Sequence, residues 1–295
     1  MTDVPMTTEN APTPTGSQRR VPALMKSPTG MVGLIIICLL AVLSVLSVSK
    51  ALPYDPIAQD ASSRLLAPSA DHWFGTDQFG RDVFSRVAAG VANSALIAVV
   101  AVAFAAVIGT LGGLIAGFYR GFADGLIGGI TNVLFAFPPL LLALALASVF
   151  ERTWFTIAVA IAVVYVPIFI RVTRGPVLSL REIDYVRAAI STGQHRVGIM
   201  FRHVLPNITS IIIIQIALSL SWAVLTEASL SFLGLGTPPP APSLGSMIFE
   251  ARTLVYVAPW TMIAPGIIVV LLVVGLNLLG DGLRDGFDPR NRGRK

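Results

Sequence analysis

An all-α polytopic membrane protein, with six transmembrane helices and both termini cytosolic, is the fold class this sequence predicts. Three observations point to it. The 295 residues are 54% hydrophobic and only 13% charged, against about 45–50% apolar and about 25% charged in an average soluble domain. The apolar residues gather in runs of roughly 20, the length a helix needs to cross about 30 Å of hydrocarbon. Basic residues fall unevenly on the two sides of those runs. An ordinary soluble enzyme, a disordered chain and a disulfide-stapled secreted module are thereby excluded. The single cysteine, Cys38, lies within the first apolar run and reads as packing.

The elements follow in order. Residues 1–27, rich in Thr, Pro and small polar types, cannot bury enough surface to order themselves and read as a cytosolic tail. A first span covers 31–49; it is longer than the roughly 7–15 residues of a signal core, so it reads as a retained anchor. Further spans are predicted over 91–117, 127–149, 154–172, 208–230 and 259–280. With the N-terminus inside, fifteen Lys and Arg fall on the inner side and six on the outer, which sets the orientation. The domain plan is a tail (1–27), a first helix with an external segment (28–90), a transmembrane domain (91–283) carrying a cytosolic loop (179–206), and a basic C-terminus (284–295).

Ionisable residues are nearly absent from the spans. Glu227, near the outer end of the fifth, is the main exception. An intramembrane carboxylate is a functional candidate, here a gate; so close to a helix end it equally fits a contact with the outer interface or a neighbouring subunit. Arg171 and Arg174 close the fourth span and are placed to snorkel to the cytosolic interface. One Glu is thin material for a proton- or sodium-coupled relay, which argues against an ATP-independent secondary transporter or channel. No phosphate-binding Gly-rich loop precedes Lys26, Lys50 or Lys295, so the chain encodes no ATPase. His72, His195 and His203 lack metal-ligand spacing, and no nucleophile elbow occurs. No catalytic residue, metal or nucleic-acid partner is therefore assigned.

Glycines at 109, 113, 117, 121, 125 and 129 place small residues on one helix face, where another backbone can approach. Pro138-Pro139, Pro167 and Pro265 each remove a helical hydrogen bond and are expected to kink their spans. In the external segment, Asp77, Arg81 and Asp82 are expected to pair locally as bracing rather than to touch cargo. The prolines at 238–240 and 242 stiffen the last outer loop.

The most informative stretch is 179–207, SLREIDYVRAAISTGQHRVGIMFRHVLPN. Ser179 and Glu182 have capping-box spacing, predicting a helix from near Leu180 through Tyr185, Arg187, Ala188 and Ala189. Gly193 would end it with a positive φ angle. A second helix from about 195 carries His203, and Leu205-Pro206 leads into the fifth span. Ala188 and Ala189 are small enough for close docking in a partner's groove. An interfacial element held by lipid phosphates is the alternative reading.

Ala188-Ala189, Gly193 and Leu205-Pro206 together resemble the EAA loop of ABC importer permeases. The Glu of that triplet is replaced here by Arg187. HWFGTDQFGRDVFSR (72–86), containing Phe74, Gly75, Thr76, Asp77, Gly80, Arg81 and Asp82, is similar to C-type subunits of the dipeptide/oligopeptide permeases. EASLSFLGLGTPPPAPSLGSMI (227–248) and GDGLRDGFDPR (280–290) resemble the same subunits. The resemblance implies a type I ABC importer transmembrane domain in a bacterial cytoplasmic membrane, with the EAA loop docked on an ATPase. It also implies a second, paralogous B-type permease, two ABC ATPase subunits that use ATP and Mg, and an external solute-binding protein. Nickel importers and some glycopeptide or sugar-related importers share these signatures, so short peptides are the expected but not the only cargo.

Overall fold

The computed structural model describes residues 27–287, so that of the tail predicted over 1–27 only Ser27, and of the basic C-terminus (284–295) only 284–287, fall within it. The architecture is helical, with no β-strand among the described residues beyond one isolated bridge, Thr76 to Asp82. The order is α1 (Pro28–Val48), a 3-10 turn (Ala61–Ser63), α2 (Val83–Tyr119), α3 (Gly121–Phe135), α4 (Pro139–Val149) and α5 (Trp154–Leu180). Then follow α6 (Asp184–Ser191), α7 (Arg196–Ile199), α8 (Leu205–Phe232), α9 (Leu244–Ala251) and α10 (Trp260–Phe287). Five helical stretches are long and apolar enough to cross a membrane alone, and α3 with α4 makes a sixth if the bent pair is counted as one crossing.

The helix that carries the second span begins ahead of the predicted span itself. Asp82 accepts a hydrogen bond from the Ser85 amide at 2.7 Å and so caps α2, which starts at Val83 and runs for 37 residues. That is about 55 Å of helix, well beyond about 30 Å of hydrocarbon. A domain boundary at 90/91 therefore falls inside a helix.

The third span is not one kinked helix. α3 and α4 meet at 92° across Ala136–Pro138. Two consecutive prolines have no N–H to offer the carbonyls of Leu134 and Phe135, so the ladder stops there. By contrast Pro167 and Pro265 stay inside continuous helices. Around a single proline the neighbouring turns still carry the hydrogen-bond ladder.

The core lies between α2 and α5. A Cβ on Gly113 would fall 2.7 Å from the Ile170 carbonyl oxygen and 2.6 Å from the Thr173 Cβ, and one on Gly117 would fall 2.8 Å from Val177. Half of the glycine stripe is thus a close-approach seam. The other half is not, since Gly121, Gly125 and Gly129 have open space where a side chain would stand. Gly113→Leu should destabilise the bundle by about 1–3 kcal/mol through overpacking, whereas Gly129→Leu should not. Thermal unfolding of both variants in the same detergent is the check; equal midpoints would mean that the seam does not set the helix spacing.

α1 lies along α10. Ser27 approaches the Asp285 carboxylate at 3.4 Å, so both ends of the described chain lie on one side of the bundle.

Candidate functional site

The hairpin α6–α7 sits at the end of the bundle where α2 and α5 finish. Its expected start is corrected by the structure. α5 continues through Ser179 to Leu180, and the Ile183 that precedes α6 makes no side-chain cap. Glu182 pairs instead with Arg120 at 2.5 Å. The capping spacing at 179–182 belongs to the last turn of one helix, not the first of the next.

The end of α6 is as expected. Gly193 has φ +77° and donates to the Ile190 carbonyl at 3.1 Å, and the Gln194 amide reaches the Ala189 carbonyl at 3.2 Å. This pair of bonds is a Schellman motif, which satisfies the orphan carbonyls of a helix end. No atom lies within 4 Å of a Cβ placed at Gly193, so the constraint there is conformational.

Below the turn, Val186, Ala189, Ile199, Met200, Val204 and Ile208 pack with Leu114 and Phe118 of α2 and Val177 of α5. Ala189 is therefore turned inward and buried, while Ala188 is exposed. Only the first of the two alanines is free to meet a partner. Tyr185 ties the hairpin to α8: its hydroxyl accepts from Asn207 Nδ2 at 3.1 Å, and its ring meets His203 edge-on.

Pro206 has no N–H for the carbonyl one turn back, and the chain rewinds: Met200–Val204 forms a π segment closed by the Leu205 amide bonding to Met200. Such π turns are common at functional sites. The hairpin thus joins α8 through Leu205-Pro206 without a loop. Its outer face presents Ile183, Tyr185, Val197 and Phe201, each 43–46% exposed, beside exposed Arg187, Arg196 and Arg202. This face combines half-exposed apolar side chains with like charges, a composition suited to contact with another protein.

At the opposite end, the external motif is folded inward rather than displayed. Gly75, Thr76, Asp77, Gly80, Arg81 and Asp82 are all buried, and Phe74 is half-buried. Arg81 Nε meets Asp77 at 2.6 Å and its Nη2 meets Glu250 at 2.7 Å. Arg86, only 2% exposed, reaches Asp77 at 3.4 Å and Glu250 at 3.2 Å. His72 Nδ1 bonds Asp82 at 2.9 Å, and Trp260 donates to the Thr76 carbonyl at 3.1 Å. The local Asp77–Arg81 pairing was legible in the sequence; the partners Arg86 and Glu250 were not. A tight turn in the same segment holds Asp60, whose carboxyl is brought down to about 2 by hydrogen bonds from the Ser62 and Ser63 hydroxyls and the Ser62 amide. The contribution of these bonds to the turn is therefore full at neutral pH and fades as pH falls below the usual carboxylate range through about 2.

Glu227 is fully buried within the described residues. One oxygen accepts from Ser231 Oγ at 2.7 Å, and Ser243, the cap of α9, donates to Ser231 at 3.1 Å. The other oxygen has no partner among the described residues. α9 folds back over the end of α8 and seals the carboxylate inside. Among the described residues no three His, Cys, Asp or Glu side chains gather as metal ligands.

Comparison with known proteins identifies an inner-membrane family, in line with the long apolar helices. Residues 109–293 match the family described as binding-protein-dependent transport system inner membrane component. The chain is 42% identical over 270 residues to the dipeptide transport system permease protein DppC of Alkalihalophilus pseudofirmus, covering 90% of this chain and 88% of that one. It is 40% identical over 259 residues to the glutathione transport system permease protein GsiD of Pectobacterium atrosepticum, covering 88% and 85%. A probable D,D-dipeptide transport system permease protein of Escherichia coli is 39% identical over 272 residues, covering 92% and 91%.

Proposed function

Because this chain belongs to the binding-protein-dependent transport system inner membrane components, we propose that it is the C-type permease subunit of an ATP-driven importer of short peptides. It is a multi-pass membrane transport subunit rather than an enzyme. The observation that carries the finer reading is the hairpin centred on Gly193. Its core is continuous with α2 and α5, and its π segment is continuous with α8. A push on the exposed face is thereby delivered to three membrane helices at once.

In this reading the hairpin end is cytosolic and docks on one of two ABC ATPases, which bind ATP and Mg. A second, B-type permease completes the path, and an external solute-binding protein delivers cargo on the side of the Asp77–Arg81–Arg86–Glu250 brace. The names of the similar proteins, dipeptide, glutathione and D,D-dipeptide permeases, support peptide cargo. Coupling requires that the two bundle states differ in how well they fit the closed ATPase pair.

Purification in mild detergent tests the assembly. Chains with a phosphate-binding loop should co-purify with this one, and purified complexes in vesicles should take up labelled Ala-Ala only with ATP. A stable, active oligomer of this chain alone would overturn the reading.

A further inference from the structure

The break in the third span is chemically incomplete. Among the described residues, the carbonyls of Phe135, Ala136 and Phe137 accept no main-chain hydrogen bond from the chain beyond, and the amides of Leu140 and Leu141 donate none. Ala136, Phe137, Pro138 and Pro139 are all exposed. The break also lies near the middle of a stretch without any ionisable residue, 125–150, which places it at membrane depth. Unpaired backbone there cannot face lipid; it is tolerated only against protein or along a water-filled cavity.

A second helix brings an unpaired polar group to the same spot. The Arg171 guanidinium of α5 lies 3.9 Å from the centre of the Phe135 ring. It is exposed, and among the described residues no carboxylate pairs with it. Its neighbour one turn on, Arg174, is by contrast neutralised by a two-pronged bond to Asp124 at 2.5 and 2.7 Å. Snorkelling to the interface was the sequence expectation for both arginines; in the structure Arg174 is tied to Asp124 and Arg171 stacks on Phe135. Arg171 is held by an aromatic face, which keeps its donors free.

We propose that the Phe135–Pro139 break and Arg171 line the aqueous translocation path and form a subsite for the carboxylate of a passing peptide. The guanidinium is suited to a carboxylate, which it takes through paired N–H donors. The three free carbonyls supply acceptors for the ammonium or amide N–H groups of the same zwitterionic solute. This deepens the permease reading and rests on it.

The test uses the assembled complex with Cys38→Ser and one new cysteine, Ala136→Cys. Leu39→Cys on the exposed face of α1 is the lipid-facing control. Charged methanethiosulfonates carrying a sulfonate or a trimethylammonium group report access and local charge. Ala136→Cys should label at least tenfold faster than Leu39→Cys. Adding Arg171→Gln should lower the sulfonate-to-ammonium rate ratio roughly fivefold, as expected for removing one charge in a wet cavity, and Arg171→Lys should preserve it. Ala-Ala should slow labelling more than its C-terminal amide does.

Labelling at the control rate would overturn the aqueous lining. A ratio indifferent to Arg171→Gln, or equal or absent protection by the two peptides, would overturn the carboxylate subsite. Failure of the permease reading shows separately, as absence of ATPase chains from the complex; the same labelling, repeated on this chain in membranes, needs no ATPase and still reads the break.

Discussion

Arg86→Ala should destabilise the protein more than any other single truncation of a side chain outside the hydrophobic core. Arg86 is almost wholly buried and bridges Asp77 and Glu250, which also share Arg81. Two cations and two carboxylates balance in this cluster. Removing one partner of a buried pair typically costs about 3–5 kcal/mol, because a buried charge is left uncompensated. Glu250 is 29% exposed, so water relieves part of that cost and the lower end of the range is expected here. Arg86→Lys keeps the charge but loses the fork, and should fall between. Thermal unfolding in detergent, with protease resistance of the 50–82 segment as a local readout, gives the measurement. An Arg86→Ala protein as resistant as the wild type would mean that the cluster is incidental to holding the segment on α9.

The second large effect concerns Gly193. Proline there cannot adopt φ +77° and has no N–H for the Ile190 carbonyl, so Gly193→Pro removes the conformation and one of the two Schellman bonds together. No atom crowds the position, so the change acts on the turn alone. ATP-driven peptide uptake should fall to background while the chain still inserts and the ATPases still hydrolyse ATP without coupling. Gly193→Ala meets only the cost of the left-handed conformation, about 1–2 kcal/mol, and should leave partial uptake. Uptake by Gly193→Pro at the wild-type rate, at equal expression, would remove the hairpin from the coupling path.

The sequence carried the crossings well because they depend on length and composition, and those are local. The turn at Gly193 was legible for the same reason: a glycine after an amphipathic run has one common use. What was lost depends on distant partners. Ser179 and Glu182 carry the spacing of a helix start, yet Val177 packs on Leu114 and Phe118 and keeps α5 helical past them. The inward turn of Ala189 follows from Val186 and Ile190 on the same face, a period-of-three signal that was available but outweighed by the motif. Asp82 ahead of Val83 and Ser85 was likewise a readable cap. The Pro138-Pro139 pair announced a disturbance, but not that it would be a right-angle break. Nothing near Arg86 in the chain predicts Glu250, 164 residues away.

The clasp of α1 along α10 has a practical corollary. Gly33 leaves no room for a Cβ against the Leu279 amide, and Gly282 none against Gly30, so the first and last helices run in backbone contact like the two boards of a hinge-bound book. Ser27 and Asp285 consequently emerge side by side. A peptide tether joining them would need no passage through the bilayer. The molecule is thus suited to circular permutation, with new ends opened in a polar connection such as the segment between α1 and α2.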